Sequence, residues 1–230
     1  MHRKNKRQGE GSMVLAGSII GGNLLNIDEI LKLSQEANID WLHIDVMDGN
    51  FVPNLTMGLE FLKKIKNKTF LPIDVHLMVQ NPEKYLEYSL YCDMINFHIE
   101  TTSFPFRMID LFRSKNPTIK VGLAFNPITS VDVLRFLEGY IDNVLIMTVE
   151  PGFAGQKFIY NMLPKIEEVN EIIKNWKNEI FISVDGGINE KTLELVLAKG
   201  ANFIVCASFI YQDYSKIKEN VIKIKNNIKK

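Results

Sequence analysis

Eight short runs rich in β-branched and aromatic residues recur along this chain, and segments of helical period separate them. The runs cover residues 14–20, 41–46, 72–78, 94–99, 120–125, 144–148, 180–184 and 203–207. Amphipathic stretches lie between them, among others at 26–37, 82–90, 105–114, 163–176 and 189–198. Asn26 or Asp28 provides a start for the first of these helices, and Gly200 closes the last. Strands that alternate with helices pair in parallel through right-handed crossovers. With eight strands the natural closure is a single (β/α)₈ TIM barrel. The competing doubly wound sheet would carry a GxGxxG turn after its first strand, and there is none. A length of 230 residues suits one such domain. The barrel is expected to occupy residues 13–230, after a polar, disordered extension at 1–12 (MHRKNKRQGEGS).

Composition narrows the partners. Lys plus Arg and Asp plus Glu each total 27, a formal net charge of +0, so no global field attracts nucleic acid or an anionic membrane. The longest apolar runs are about a dozen residues, short of the roughly 20 that a membrane helix needs. No secretory core follows the basic head, and a cytoplasmic location is expected. Cys92 and Cys206 each sit in an apolar stretch outside any CxxC pair, which reads as two buried thiols.

The informative residues are polar groups on strands otherwise made for burial. In WLHIDVM, strand period two puts Trp41, His43, Asp45 and Met47 on one face and Leu42, Ile44 and Val46 on the other. The apolar face suits packing against helices, so His43 and Asp45 point into the barrel. In IDVHLM, Asp74, His76 and Met78 share the inward face, and in FISVD so do Ser183 and Asp185. A lone strand histidine is commonly a hydrogen-bonded core residue, and an Asp before Gly-Gly can simply shape a turn. Together His43, Asp45, His76 and Asp185 are costly to bury unless paired or ligated. As a His₂Asp₂ set they suit one divalent metal ion, Zn²⁺ first, with Fe²⁺, Mn²⁺ and Co²⁺ also compatible. Asp74 reads as structural.

Small residues follow the late strands at Gly152, Phe153, Ala154 and Gly155, at Gly186 and Gly187, and at Ala207 and Ser208. Each is an ordinary tight turn when taken alone. Three of them after strands 6, 7 and 8 suit backbone N–H groups converging on a phosphate.

HIDVMDGNFVPNLTMG, DVHLMVQNPEKY, NFHIE, VGLAFNP, LIMTVEPGFAGQKF and VDGGIN resemble the ribulose-phosphate 3-epimerase family, in order, over about residues 14–211. The resemblance implies a barrel that binds one divalent metal through His43, Asp45, His76 and Asp185. It implies inversion at C3 of a phosphorylated ketose, ribulose 5-phosphate to xylulose 5-phosphate, with Asp45 and Asp185 transferring protons through an enediolate. Ser18 and His76 would contact substrate, while Met47, Met78 and Met147 would wall the reacting carbons. Residues 152–155 match the family's flexible phosphate loop, and Gly186, Gly187, Ala207 and Ser208 match its phosphate cradle. A homo-oligomer is the expected assembly.

The chain departs from the family pattern in three places: Asn23 stands where an Asp is usual, Ala207 where a Gly is, and PGFGGQ reads PGFAGQ. EPGFAGQ and FHIET also resemble the allulose-6-phosphate 3-epimerases, which keeps a hexulose phosphate as an alternative. A metal-assisted decarboxylase or aldolase would need a lysine at the reacting carbon, and none lies in these strand ends. A non-catalytic phosphosugar-binding barrel is the remaining alternative.

Overall fold

The computed structural model describes residues 13–226, and the expected polar extension at 1–12 lies outside them. Eight parallel strands close on themselves in chain order, with the first bonded to the last. They are β1 (Val14–Ser18), β2 (Trp41–Met47), β3 (Ile73–Met78), β4 (Met94–His98), β5 (Lys120–Phe125), β6 (Asn143–Met147), β7 (Phe181–Asp185) and β8 (Phe203–Cys206). Each lies within a residue or two of the run that forecast it.

The helices are α1 (Ile27–Glu36), α2 (Leu59–Lys66), α3 (Pro105–Lys115), α4 (Leu163–Ile173), α5 (Glu190–Ala198), the short α6 (Ser208–Tyr211) and α7 (Ile217–Asn226). Asn189 caps α5 with a reciprocal capping box to Thr192. Asn23 caps the turn at Leu24–Asn26 by accepting from the Leu25 amide. The helical stretch expected at 82–90 is instead a 3₁₀ segment, Pro82–Leu90. It lacks a side-chain cap, and Tyr85 leaves helical backbone in its middle. With no cap at its start and this break at Tyr85, the segment folds as successive tight turns.

Two apolar layers result from the alternation. Ile44, Val75, Leu77, Ile182 and Val184 face outward into the strand–helix layer. Val14, Ala16, Met94, Ala124, Leu145, Phe203 and Val205 fill the barrel's interior, with Trp41 and Phe181 against them. Burying each large side chain there contributes about 1.5–3 kcal/mol. Most of this plug lies toward the N-terminal ends of the strands, so the polar inward residues farther along them stand at the C-terminal mouth, which Val205 also reaches. Among the described residues, no helix is long and apolar enough to cross a membrane. Cys92 and Cys206 are free and buried, and burial pushes the Cys206 thiol up to about 12.

Candidate active site

Parallel register carries the inward residues to one level. Asp45 is beside His76, Met47 beside Met78, and Met147 beside Asp185. His43 Nε2 lies 3.3 Å from Asp45 Oδ1 and 3.7 Å from Asp185 Oδ2. His76 Nδ1 lies at the same two distances from the same two oxygens. One ligating atom from each of these four residues falls within 4.8 Å of all the others. His43 Nε2 is buried with no hydrogen-bond partner, an arrangement that is costly unless something else occupies that lone pair. The residues present therefore fit a metal: two imidazole nitrogens and two carboxylate oxygens on one small volume.

The electrostatics agree with the geometry. Burial works against a charged His43, yet the Asp45 and Asp74 carboxylates hold its pKa well above the usual value. Burial also opposes ionisation of Asp45, but His43 and His76 hold its carboxyl well below the usual carboxylate range. Ser18 donates to Asp45 Oδ2 at 2.7 Å, which leaves Oδ1 for the cluster.

Below the cluster runs a fully buried polar ladder across five strands. Ser183 Oγ donates to Asn143 Oδ1 at 2.6 Å, and Asn143 Nδ2 donates to Asn96 Oδ1 at 2.7 Å. Asn96 Nδ2 donates to Asp74 Oδ1 at 2.6 Å, and Asp74 Oδ2 meets His43 Nδ1 at 2.7 Å. Gly122 makes room for it, since a Cβ there would stand 1.9 Å from Asn96 Oδ1. Asp74 is structural, as expected, but in a particular way: it fixes which nitrogen of His43 faces the cluster.

One cleft opens above, and it gathers nearly every residue the sequence pointed to. Ser18, Asp45, Asp185 and the three methionines line its floor and walls, with Met47, Met78 and Met147 all buried. Gly152, Phe153, Ala154 and Gly155 line one side, while Gly186, Gly187, Ala207 and Ser208 line the other. His43 and His76 sit beneath it, fully buried. Gly187 has φ +66, and a Cβ would meet the Phe158 backbone nitrogen at 2.5 Å, so only glycine fits. The 152–155 loop is tied down from both ends. Asn54 Nδ2 donates to Gly152 O at 2.9 Å, and Gln156 Nε2 donates to Glu150 O at 2.6 Å.

Sequence reasoning passed over His98 and Glu100. His98 stacks on His76 with ring centroids 5.0 Å apart, and its Nδ1 lies 3.1 Å from Glu100 Oε2. The signal was present in NFHIE, where period two turns His98 inward with Asn96 and Met94. Ile20, Val149, Ile188 and Val205 also line the cleft and were not singled out.

Fold and cluster together define a class: a (β/α)₈ barrel whose chemistry is gathered at its C-terminal mouth around a candidate metal centre. The profile described as the ribulose-phosphate 3 epimerase family matches residues 14–211. A ribulose-phosphate 3-epimerase of Methanocaldococcus jannaschii is 42% identical over 197 residues, covering 86% of this chain and 83% of that one. One from Bacillus subtilis is 38% identical over 200 residues, covering 86% and 91%. A crystal structure of KGPDC from Streptococcus mutans superposes with a TM-score of 0.69 at 13% identity, over 95% of this chain and 98% of that one, a likeness of fold alone. The chain belongs to the ribulose-phosphate 3 epimerase family, and with it to the carbohydrate-phosphate epimerases, a class of isomerases.

Proposed function

We propose that this chain inverts C3 of D-ribulose 5-phosphate to give D-xylulose 5-phosphate. One divalent metal ion would be held by His43, Asp45, His76 and Asp185, with Asp45 and Asp185 as the two proton-transfer groups. The observation that carries this reading is the convergence of four ligating atoms within 4.8 Å, one of them the buried, partnerless His43 Nε2, at the floor of the cleft. Zn²⁺ suits two nitrogens and two oxygens best, while Fe²⁺, Mn²⁺ and Co²⁺ accept the same donors. A divalent ion bound there supplies Lewis acidity toward the ketose carbonyl, which lowers the cost of removing the neighbouring proton.

The chain's own residues do the rest. Asp45 stands on β2 and Asp185 on β7, strands from different sides of the barrel, so each addresses its own face of a planar C2–C3 unit. One carboxylate takes the C3 proton, an enediolate results, and the other carboxyl group returns a proton from the opposite face. Ser18 holds the Asp45 carboxylate in its orientation. Met47, Met78 and Met147 form a polarizable wall that excludes water and has no proton to offer the intermediate. Gly186, Gly187, Ala207 and Ser208 would hold the phosphate through backbone N–H groups and the Ser208 hydroxyl, with the 152–155 loop closed over it.

The same reading takes residues 13–230 as one catalytic domain that works in the cytoplasm as a homo-oligomer. Steady-state kinetics on ribulose 5-phosphate and allulose 6-phosphate, with a defined metal, test it. A higher kcat/KM for the hexulose would move the substrate, and absence of solvent exchange at C3 with either ketose would remove the enzyme.

A further inference from the structure

His98 is fully buried on β4, stacked on His76 and covered by Phe51 at a ring-centroid distance of 4.6 Å. The reaction described above gives it nothing to do. Its Nε2 lies 2.9 Å from His76 Nε2. Two imidazole nitrogens at that distance share one proton, so one donates and the other accepts. The direction is decided from the far end. Glu100 Oε1 accepts from the Asn126 amide at 2.8 Å and from the Thr129 hydroxyl, while Oε2 faces His98 Nδ1. A carboxylate only accepts, so His98 Nδ1 donates to it and His98 Nε2 presents a lone pair. His76 must then donate through Nε2, which leaves its Nδ1 lone pair facing Asp45 and Asp185.

We propose that Glu100 and His98 are positioning residues that select the metal-binding nitrogen of His76. The inference rests on the metal reading given above and deepens it. The relay is anchored outside the barrel as well. Lys165 on α4 donates to the carbonyl oxygens of Asn126, Pro127 and Thr129 at 2.9, 2.6 and 2.7 Å, which holds the loop that supplies Glu100 with its donors. Partial burial works against an ionised Glu100, but the hydrogen bonds from His98 and Thr129 bring its pKa down to about 2, so it stays an acceptor at neutral pH.

Glu100→Gln inverts the relay with almost no change of shape. The amide oxygen stays with its two donors, so the NH₂ group faces His98 Nδ1 and forces the proton to His98 Nε2. His98 then donates to His76 Nε2, and the remaining His76 proton moves to Nδ1, where a metal should bind. His98→Gln is the counterpart: its side-chain oxygen can reach the position of Nε2 and accept from His76 without any help from Glu100. Metal affinity, measured by competition with a chromogenic chelator on full-length protein, should fall about 10–100-fold in Glu100→Gln. In His98→Gln it should stay within several-fold of wild type, and in His98→Leu it should fall with Glu100→Gln. Wild-type affinity in a folded Glu100→Gln would overturn the proposal. Should that variant not fold, nitrogen NMR of ¹⁵N-histidine-labelled, zinc-loaded wild type decides directly: a proton on His98 Nδ1 supports the relay and one on Nε2 overturns it. Wild-type protein that takes up no divalent metal would sink the parent reading and this one together, whereas metal uptake indifferent to Glu100 sinks this one alone.

Discussion

Asp74 and His43 meet at 2.7 Å in the fully buried interior, and this contact aims the other nitrogen of His43 at the cluster. Asp74→Ala would leave both His43 Nδ1 and Asn96 Nδ2 without a partner, at a cost of about 3–5 kcal/mol. Asp74→Asn should cost far less. If Asn96 and Asn143 turn over their amides, every rung of the ladder to Ser183 stays bonded, and the new amide oxygen still accepts from His43. What is lost is the negative charge, so metal affinity should drop about tenfold. Urea unfolding of both metal-free variants, with chelator competition on Asp74→Asn, checks this. Equal destabilisation by Ala and Asn would mean that the ladder cannot reorganise.

The metal-free protein should be most stable near pH 6.5, the ordinary value for both His43 and His98. Burial pushes His98 down to about 4, so between pH 6.5 and 4 the unfolded chain binds more protons than the folded one, and stability falls with acid. Glu100, lowered to about 2 from 4.5, extends the loss as pH falls further. His43 works in the other sense. Its pKa is raised, so its contribution is complete below 6.5 and fades as pH rises through the folded value. Unfolding free energies measured across pH in the presence of chelator should trace this maximum, and His98→Gln should flatten its acid limb between 6.5 and 4. An unchanged acid limb in that variant would assign the loss to other groups.

Gly155 has φ +77, and nothing lies within 4 Å of where its Cβ would be. A Cβ therefore meets no neighbour, and the penalty for Gly155→Ala is that of left-handed backbone, about 1–2 kcal/mol. If the loop closes over the phosphate in this conformation, kcat/KM on the phosphorylated ketose should fall about 5–30-fold. The unphosphorylated sugar, which cannot use the loop, should be affected much less. Equal losses on both substrates would make the segment a structural turn.

What could be read from the sequence follows from periodicity. Strand period two is a rigid rule, so the inward set of β2, β3 and β7 could be written down directly, and closure into a barrel brought those strands to a common mouth. Asp74 was seen to point inward, but its partners on neighbouring strands depend on register, which no single strand encodes. For the same reason the pairing of His76 with His98 was invisible: it joins β3 to β4 through side chains, while NFHIE alone offers only a buried histidine. The 82–90 segment shows the opposite limit. Its residues tolerate a helix, but with no side-chain cap and a break at Tyr85 it folds as 3₁₀ turns. The small residues after β6, β7 and β8 were legible as turns, and only the closed fold brings them to one cleft.

The two aspartates expose the proposed mechanism most directly. Asp45 and Asp185 each present an oxygen 3.3 or 3.7 Å from the same two imidazole nitrogens, from strands β2 and β7. If they serve opposite faces of C3, Asn at either position removes one proton carrier, and epimerisation should fall by about 10²–10⁴-fold. The surviving carboxylate can still take and return a proton on its own face. In D₂O the two variants should therefore wash deuterium into opposite epimers, Asp45→Asn labelling one ketose and Asp185→Asn the other, with little interconversion. Because the same residues are the proposed ligands, metal content has to be measured on the same samples, and exchange compared per occupied site. A metal-loaded Asp185→Asn that interconverts the epimers at a near wild-type rate would refute the two-base assignment. Label entering the same epimer in both variants would mean that the two carboxylates reach C3 from one side.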